Sequence, residues 1–375
     1  MLFLKNIKNT HKTWLNINSI LGKKNKVTLD GLLRDGVIVT GNDMLDYVNT
    51  YFVSIADNLT NHFIYNEPYV HITASNVNSC NLAPTNVREV LAVIESLKNT
   101  GSGTFDLSIR CLKNNSHIFC VHLVFLYNYS IEKATFPSLL KTACVVPAYK
   151  SGLKDQIDNY RPISNLPVLS KVFEKLTLNR YSSFIENNNL LSNSQYGFRK
   201  GRNITQAAIK LVGCITDAFH HRKYSACFFL DLRKAFDTLD HDILLMKLFH
   251  MGFRGPANQY ISSFLINRKQ YVQIGNMKSG EKVIRKGVPQ GSILGPLLFC
   301  LYINDIVASV KTEVVLFADD AAFFICADSL PQLQLLISNL FRDLSSYLKS
   351  NKLLPNLKRV NLCIFYLDHL CCCQI

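Results

Sequence analysis

"VVLFADDAAFFIC", residues 314–326, sets two adjacent carboxylates, Asp319 and Asp320, inside an otherwise apolar run. Burying a carboxylate without a partner is costly. The run therefore reads as a hairpin of two apolar strands, with its turn at Asp319-Asp320. A second buried strand, "YSACFFLDL" (224–232), ends in another acid, Asp231. Neighbouring side chains on a strand point to opposite faces. Both members of the Asp pair can face one site only where the chain turns. With the two strands adjacent, Asp231 and Asp319 meet at one edge of a sheet. Like charges that close do not coexist unpaired, and a hard divalent cation with oxygen ligands resolves the conflict. Two such ions, roughly 3.5–4 Å apart, clamp the attacking and leaving oxygens of a phosphoryl transfer. The bland alternative is that each Asp only caps a turn.

The rest of the chain fits a folded protein that meets a polyanion. It has 375 residues, 48% of them hydrophobic, and 41 Lys+Arg against 27 Asp+Glu, a formal net charge of +14. That excludes a disordered chain and favours nucleic acid over an anionic membrane as partner. No apolar run reaches the roughly 18 residues of a membrane span. The N-terminus lacks the apolar core and cleavage site of a signal peptide. The 12 cysteines are scattered, apart from Cys371–Cys373, and read as reduced core residues of an intracellular protein, in nucleus and cytoplasm.

Periodicity and punctuation place the elements. Residues 1–24 read as a basic helical segment and 64–84 as a polar loop. Helices are expected over 85–103, 119–137 (buried), 170–191, 205–223, 240–252, 291–310 (buried) and about 330–350. Leu45, Val48, Phe52, Ile55 and Leu59 mark an earlier amphipathic helix. Strands are expected at 141–150 and 224–232, and a hairpin from "KQYVQIGN" and "KSGEKVIRKG". Helices beside an antiparallel sheet give an α+β fold.

"GVPQGSILGP" (287–296) supplies a loop that a ligand can approach closely, through Gly287, Gly291 and Gly295. Gln290 offers an amide donor and acceptor there. Arg161 and Lys171, then Arg199, Lys200 and Arg202, bring groups suited to phosphate oxygens. An ordinary helix-entry loop and a solvated basic surface are the competing readings.

Five segments then come in order: "NYRPISNLPVLSKVFEKL" (159–176), "QYGFRKGRNITQAA" (195–208), "FLDLRKAFDTLDHDILL" (229–245), "GVPQGSILGPLLFCLYINDI" (287–306) and "LFADDAAFF" (316–324). The set resembles the reverse transcriptase domain of non-LTR (LINE-type, jockey/CR1-like) retrotransposons. "LDYVNTYFVSIADNL" (45–59) and "FPSLLKTACVVPAYKSG" (136–152) resemble the stretch upstream of it. The resemblance implies a right-hand polymerase with an antiparallel palm sheet and packed helices: an N-terminal segment at 1–84, fingers at 85–223, palm at 224–328, and a last helix with a tail at 329–375. The reverse transcriptase domain overall would span about 130–365.

It also implies roles. Asp231, Asp319 and Asp320 would be catalytic and would hold two Mg²⁺ ions, with Mn²⁺ as a substitute and Asp320 the less direct ligand. Phe236 would exclude a ribose 2′-hydroxyl. Gln290 and Gly291 would lie under the nascent base pair, and Arg161, Lys171 and Arg199 would contact triphosphate or template. The partners implied are an RNA template, a DNA primer and dNTPs, with no membrane. "LPNLKRVNLCIF" (354–365) resembles a degenerate form of a family segment, with Arg359-Val360 in place of Lys-Thr. The likeness ends there, so a chain truncated at both ends, its thumb missing or incomplete, is expected. A catalytically inactive RNA-binding remnant is the alternative; a nucleotide cyclase is a third reading that leaves "VPQGSILGP" without a role.

Overall fold

The computed structural model describes residues 29, 31–60, 76–99, 107–366 and 369–374, the last segment through its backbone alone. The helix read at 1–24 lies outside the described residues, as does most of the loop read at 64–84.

In chain order the first elements are β1 (Leu32–Arg34), β2 (Val37–Val39), α1 (Gly41–Thr60), α2 (Val87–Ser96), α3 (Ile109–Asn114) and α4 (Ser116–Glu132). Next come β3 (Thr142–Tyr149), β4 (Tyr160–Asn165), α5 (Val168–Asn187), α6 (Ile204–His220) and β5 (Tyr224–Asp231). Then follow α7 (Ala235–Thr238), α8 (His241–His250), α9 (Pro256–Leu265), β6 (Arg268–Ile274), β7 (Met277–Lys278) and β8 (Lys282–Ile284). The remainder is α10 (Gly295–Ile303), α11 (Ile306–Ser309), β9 (Glu313–Phe317), β10 (Asp320–Ala327), α12 (Leu330–Ser350), β11 (Asn361–Tyr366) and β12 (His369–Gln374).

The main sheet is antiparallel, in the order β12-β11-β5-β10-β9. Its central strands are apolar on both sides because helices cover both faces. On one face, Val315 and Ala322 cluster with Ala207 of α6, Cys227 and Phe324 cluster with Ala218 of α6, and Phe229 packs against both groups. The alternate residues Phe228, Leu230, Val314, Leu316 and Phe323 join the large core with Leu340, Leu344 and Phe341 of α12. Burial on both sides explains why "CFFL" and "VVLF" read as continuous apolar runs rather than alternating ones.

The second sheet runs β4-β3-β6-β7, with β8 also on β6; β3 and β6 are parallel. The segment 268–284, inside the residues expected for the palm, thus hydrogen-bonds to a strand expected for the fingers. Helix α1 covers this sheet: Met44, Leu45, Val48, Phe52 and Ile55 pack with Val145, Tyr160 and Val272. Beneath it Gln270 Nε2 donates to Asn49 Oδ1 at 3.0 Å, and Asn49 Nδ2 donates to the backbone carbonyl of Gln270 at 3.4 Å. Helix α1 also meets α7, the short turn just beyond Asp231.

Three expectations are corrected. The hairpin turn is Ala318-Asp319, and Asp320 is already the first residue of β10, paired with Phe317. The buried helix read over 291–310 breaks at Asn304-Asp305 into α10 and α11. Helix α4, apolar all round, is only half-buried: Ile118, Val121, Phe125 and Tyr129 are exposed, Phe125 at 69%.

Candidate active site

Strand register builds the acidic edge. β5 ends at Asp231 and β10 begins at Asp320, and these two residues are direct cross-strand partners. Directly opposed side chains share a face, with Cβ atoms about 4.5–5.5 Å apart. Asp319 sits one residue earlier, in the two-residue loop. Asp320 is exposed at the sheet edge; partial desolvation there, then the neighbouring charges of Asp319 and Asp231, push its carboxyl above the usual range. Arg359 and Lys150 oppose that shift. The three acids therefore feel one another.

The loop tip is held from outside. Residues 194–197 run alongside β9: Leu316 N donates to Ser194 O and Tyr196 N to Leu316 O, each at 2.8 Å. Buried Gln195 accepts through Oε1 from Gly197 N at 2.8 Å and Ala318 N at 3.3 Å. Ala318 adopts φ 60°, unusual for a residue with a Cβ. A Cβ on Gly197 would lie 2.1 Å from Ala318 N, so only glycine permits this approach.

The loop 287–295 is fixed by four other elements, α7, α8, β4 and α5. Gly287 N donates to Leu239 O and Val288 N to Phe236 O, and the His241 ring bonds Gly287 O at 2.8 Å. Gln290 Nε2 donates to both carboxylate oxygens of Asp237, at 2.9 and 2.8 Å. Ser164 N donates to Gln290 O, and Gly291, at φ 127°, has Ser164 O only 2.5 Å from where a Cβ would sit. Fully buried Glu174 accepts from Ile293 N at 2.6 Å and Leu294 N at 3.2 Å, ahead of α10. Phe236 is half-buried, its ring 4.9 Å from Phe299.

Residues 150–364, more than half of the chain, match a family model described as reverse transcriptase (RNA-dependent DNA polymerase). The chain belongs to the reverse transcriptase family. Among curated proteins, it is 33% identical over 227 residues to the probable RNA-directed DNA polymerase from transposon BS of Drosophila melanogaster, covering 60% of this chain and 25% of that one. It is 32% identical over 246 residues to the RNA-directed DNA polymerase from mobile element jockey of the same species, covering 63% and 26%. A Pol polyprotein from type-1 retrotransposable element R2 of Popillia japonica is 26% identical over 208 residues. The chain thus spans about a quarter of the length of the first two relatives.

Reverse transcriptases use divalent metal ions. The donor chemistry here suits a hard cation: carboxylate oxygens opposed across two strands, in mutual repulsion. The described residues hold no group of three His, Cys, Asp or Glu side chains converged on one point. Asp231 Oδ2 accepts from Asn356 Nδ2 at 2.7 Å and lies 3.8 Å from Arg359. A cation at Asp231 therefore competes with those two side chains for that oxygen.

The cations expected from the sequence divide. Arg161 lies on β4 opposite Ala148. Its charge, with those of Arg359 and Lys234, acts on Lys150, whose ammonium burial first pushes below its usual range. Of these four, Lys150 feels the charge of Asp231 and Arg359 lies 3.8 Å from it, while Lys234 is nearer Asp237 and Asp158. Lys171, in the first turn of α5, makes no ion pair with the aspartates. Arg199 has partners of its own: it donates to Ser192 O at 3.0 Å and lies 3.6 Å from Glu186, which leaves other donors of its guanidinium open. Sequence reasoning missed Asn356, Lys150, Glu174 and Asp237. For Asn356 and Arg359 a signal existed in "LPNLKR", where β5 is met by Asn356 N donating to Asp231 O at 2.8 Å. No helix among the described residues is long and apolar enough to cross a membrane.

Proposed function

We propose that this chain is the RNA-templated DNA polymerase domain of a non-LTR retrotransposon, transferring deoxynucleotides from dNTPs to a DNA primer 3′-hydroxyl on an RNA template. One observation carries the reading: Asp231 and Asp320 are direct cross-strand partners, with Asp319 in the loop beside them and Lys150 and Arg359 close by. Asp231, Asp319 and Asp320 would hold Mg²⁺, or Mn²⁺ in its place. Bound there as two ions, the metal supplies charge stabilisation to the primer oxygen and the triphosphate.

The chain's own side chains do the remaining work. Lys150, Arg161, Lys234 and Arg359 neutralise triphosphate oxygens, and the Arg forks also orient them. Phe236, backed by Phe299, forms an apolar wall that offers a ribose 2′-hydroxyl neither room nor partner. Gln290 and Gly291 form a rigid floor for the nascent base pair, because Asp237, Ser164 and Glu174 fix the loop.

The test is Mg²⁺-dependent incorporation of labelled dNTP on an RNA template annealed to a DNA primer. Wild type incorporates label and Asp319→Ala falls to background. Equal background incorporation by both, with RNA binding intact, replaces this reading by an RNA-binding remnant.

A further inference from the structure

One residue of the segment 194–202 stands apart from the rest. Gln195 and Gly197 are buried against the Ala318-Asp319 loop. Arg199 is tied to Glu186 and Ser192, and Arg202 lies over the Tyr196 ring at 5.0 Å. Phe198, between them, is 57% exposed and adopts φ 53°, the left-handed region. A bulky side chain there is a conformational outlier. The chain thus accepts strained backbone at a residue whose ring it does not bury.

The position of that ring is informative. Phe299 is fully buried; Phe236 lies 4.9 Å from it; Phe198 lies 6.3 Å from Phe236, edge to face at 81°. The three rings run from the core to solvent. Gly197, the residue before Phe198, touches the loop that carries Asp319. An exposed aromatic face is thereby held beside both the acidic edge and the wall formed by Phe236. Its neighbours on either side are anchored, so the ring is presented by a rigid segment.

We infer that Phe198 is a stacking platform for a nucleobase at the mouth of the site. Aromatic faces bind bases of any sequence through stacking, and the cations around Asp231 would hold the phosphates of the same ligand. The inference rests on the polymerase reading for the kind of ligand. The base comes either from the template–primer duplex or from the incoming nucleotide.

Three variants of the full chain test it: Phe198→Gly, Phe198→Trp and Asp319→Ala. Glycine adopts φ 53° without strain, so Phe198→Gly leaves the melting temperature unchanged or higher. The probe is an RNA template–DNA primer carrying 2-aminopurine next to the primer end, whose fluorescence a stacked ring quenches. Phe198→Gly weakens duplex binding about tenfold and loses the quenching, while Phe198→Trp restores both. If duplex binding holds but the KM for dNTP rises about tenfold, the stacked base is that of the incoming nucleotide. Wild-type binding, quenching and KM in Phe198→Gly would overturn the inference, as would a loss of binding that tracks a fall in melting temperature. The quenching is an equilibrium measurement. It therefore decides Phe198 even where wild type incorporates no more label than Asp319→Ala, the result that defeats the polymerase reading alone.

Discussion

Two short segments carry the chemistry proposed for this site, and the protein holds them by different means. The acidic tip, Phe317–Asp320, is anchored by neutral groups: the Gln195 amide oxygen, backbone carbonyls, and the missing side chain of Gly197. The loop 287–295 is anchored by carboxylates, Glu174 and Asp237. The difference follows from charge. A tip surrounded by Asp231, Asp319 and Asp320 gains nothing from another anion nearby. A loop that presents backbone N–H groups and an amide is well served by one. The tip should therefore lose stability when atoms or negative charge are added, and the loop should lose its fixed geometry, and with it incorporation, when a carboxylate is neutralised.

The largest effect is expected from one added methyl group. Gly197→Ala sets a Cβ 2.1 Å from Ala318 N, and backbone on both sides leaves no flexible side chain to yield. Overpacking of this kind costs about 3 kcal/mol, and a displaced Asp319 lowers kcat about 100-fold. Thermal unfolding and single-turnover incorporation measure the two. Next comes an isosteric charge swap. Gln195→Glu keeps both hydrogen bonds but buries an anion beside three others, at a cost of about 2 kcal/mol. Near-wild-type stability in either variant would show that the tip is not held as described. The reciprocal swap on the loop is smaller. Burial pushes the Glu174 carboxyl above its usual range, against Arg268 and the bonds that it accepts; Glu174→Gln keeps an acceptor for Ile293 N and Leu294 N but makes both bonds weaker, costing about 1 kcal/mol. A denaturant titration reads it; a gain in stability would mean that the charge is not what holds the loop.

What could be read from the sequence divides along the same line. The two acid-ended strands and the glycine-rich loop were legible because apolar runs and Gly/Pro punctuation are local signals. The anchors were not. Glu174 and Ile293 are 119 residues apart, Gln195 and Ala318 are 123 apart, and Asn356 and Asp231 are 125 apart. No periodicity records such pairs. Arg199 shows how ambiguous such a signal is, because an arginine suits phosphate and carboxylate equally, and the fold sets it 3.6 Å from Glu186. Helix α4 misled because apolar residues all round normally mean burial, while Phe125 and Tyr129 stack on each other outside the core.

The finest test of the loop is titration of Asp237. Burial pushes its carboxyl up to about 6, against the bonds from Gln290 and the charge of Lys234. Above that pH the ionised group accepts twice from Gln290 Nε2 and fixes the amide. Below it, a proton turns one acceptor into a donor, and the amide loses a bond. Incorporation efficiency should therefore fall as pH drops through about 6. Stability responds with the opposite sign. A carboxyl whose pKa is raised above its ordinary value of 3.8 binds its proton more tightly folded than unfolded. Its contribution to stability consequently grows as pH falls from about 6 toward 4. His241, bonded to Gly287 O, titrates near the same loop, with burial lowering its pKa. Asp237→Asn isolates the carboxyl: the acid limb of kcat/KM near pH 6 should disappear in that variant while any limb due to His241 stays. An unchanged limb in Asp237→Asn would break the link between this carboxylate and Gln290. A limb that vanished with activity otherwise intact would show the loop, unlike the tip, depending on a charge that protonation can remove.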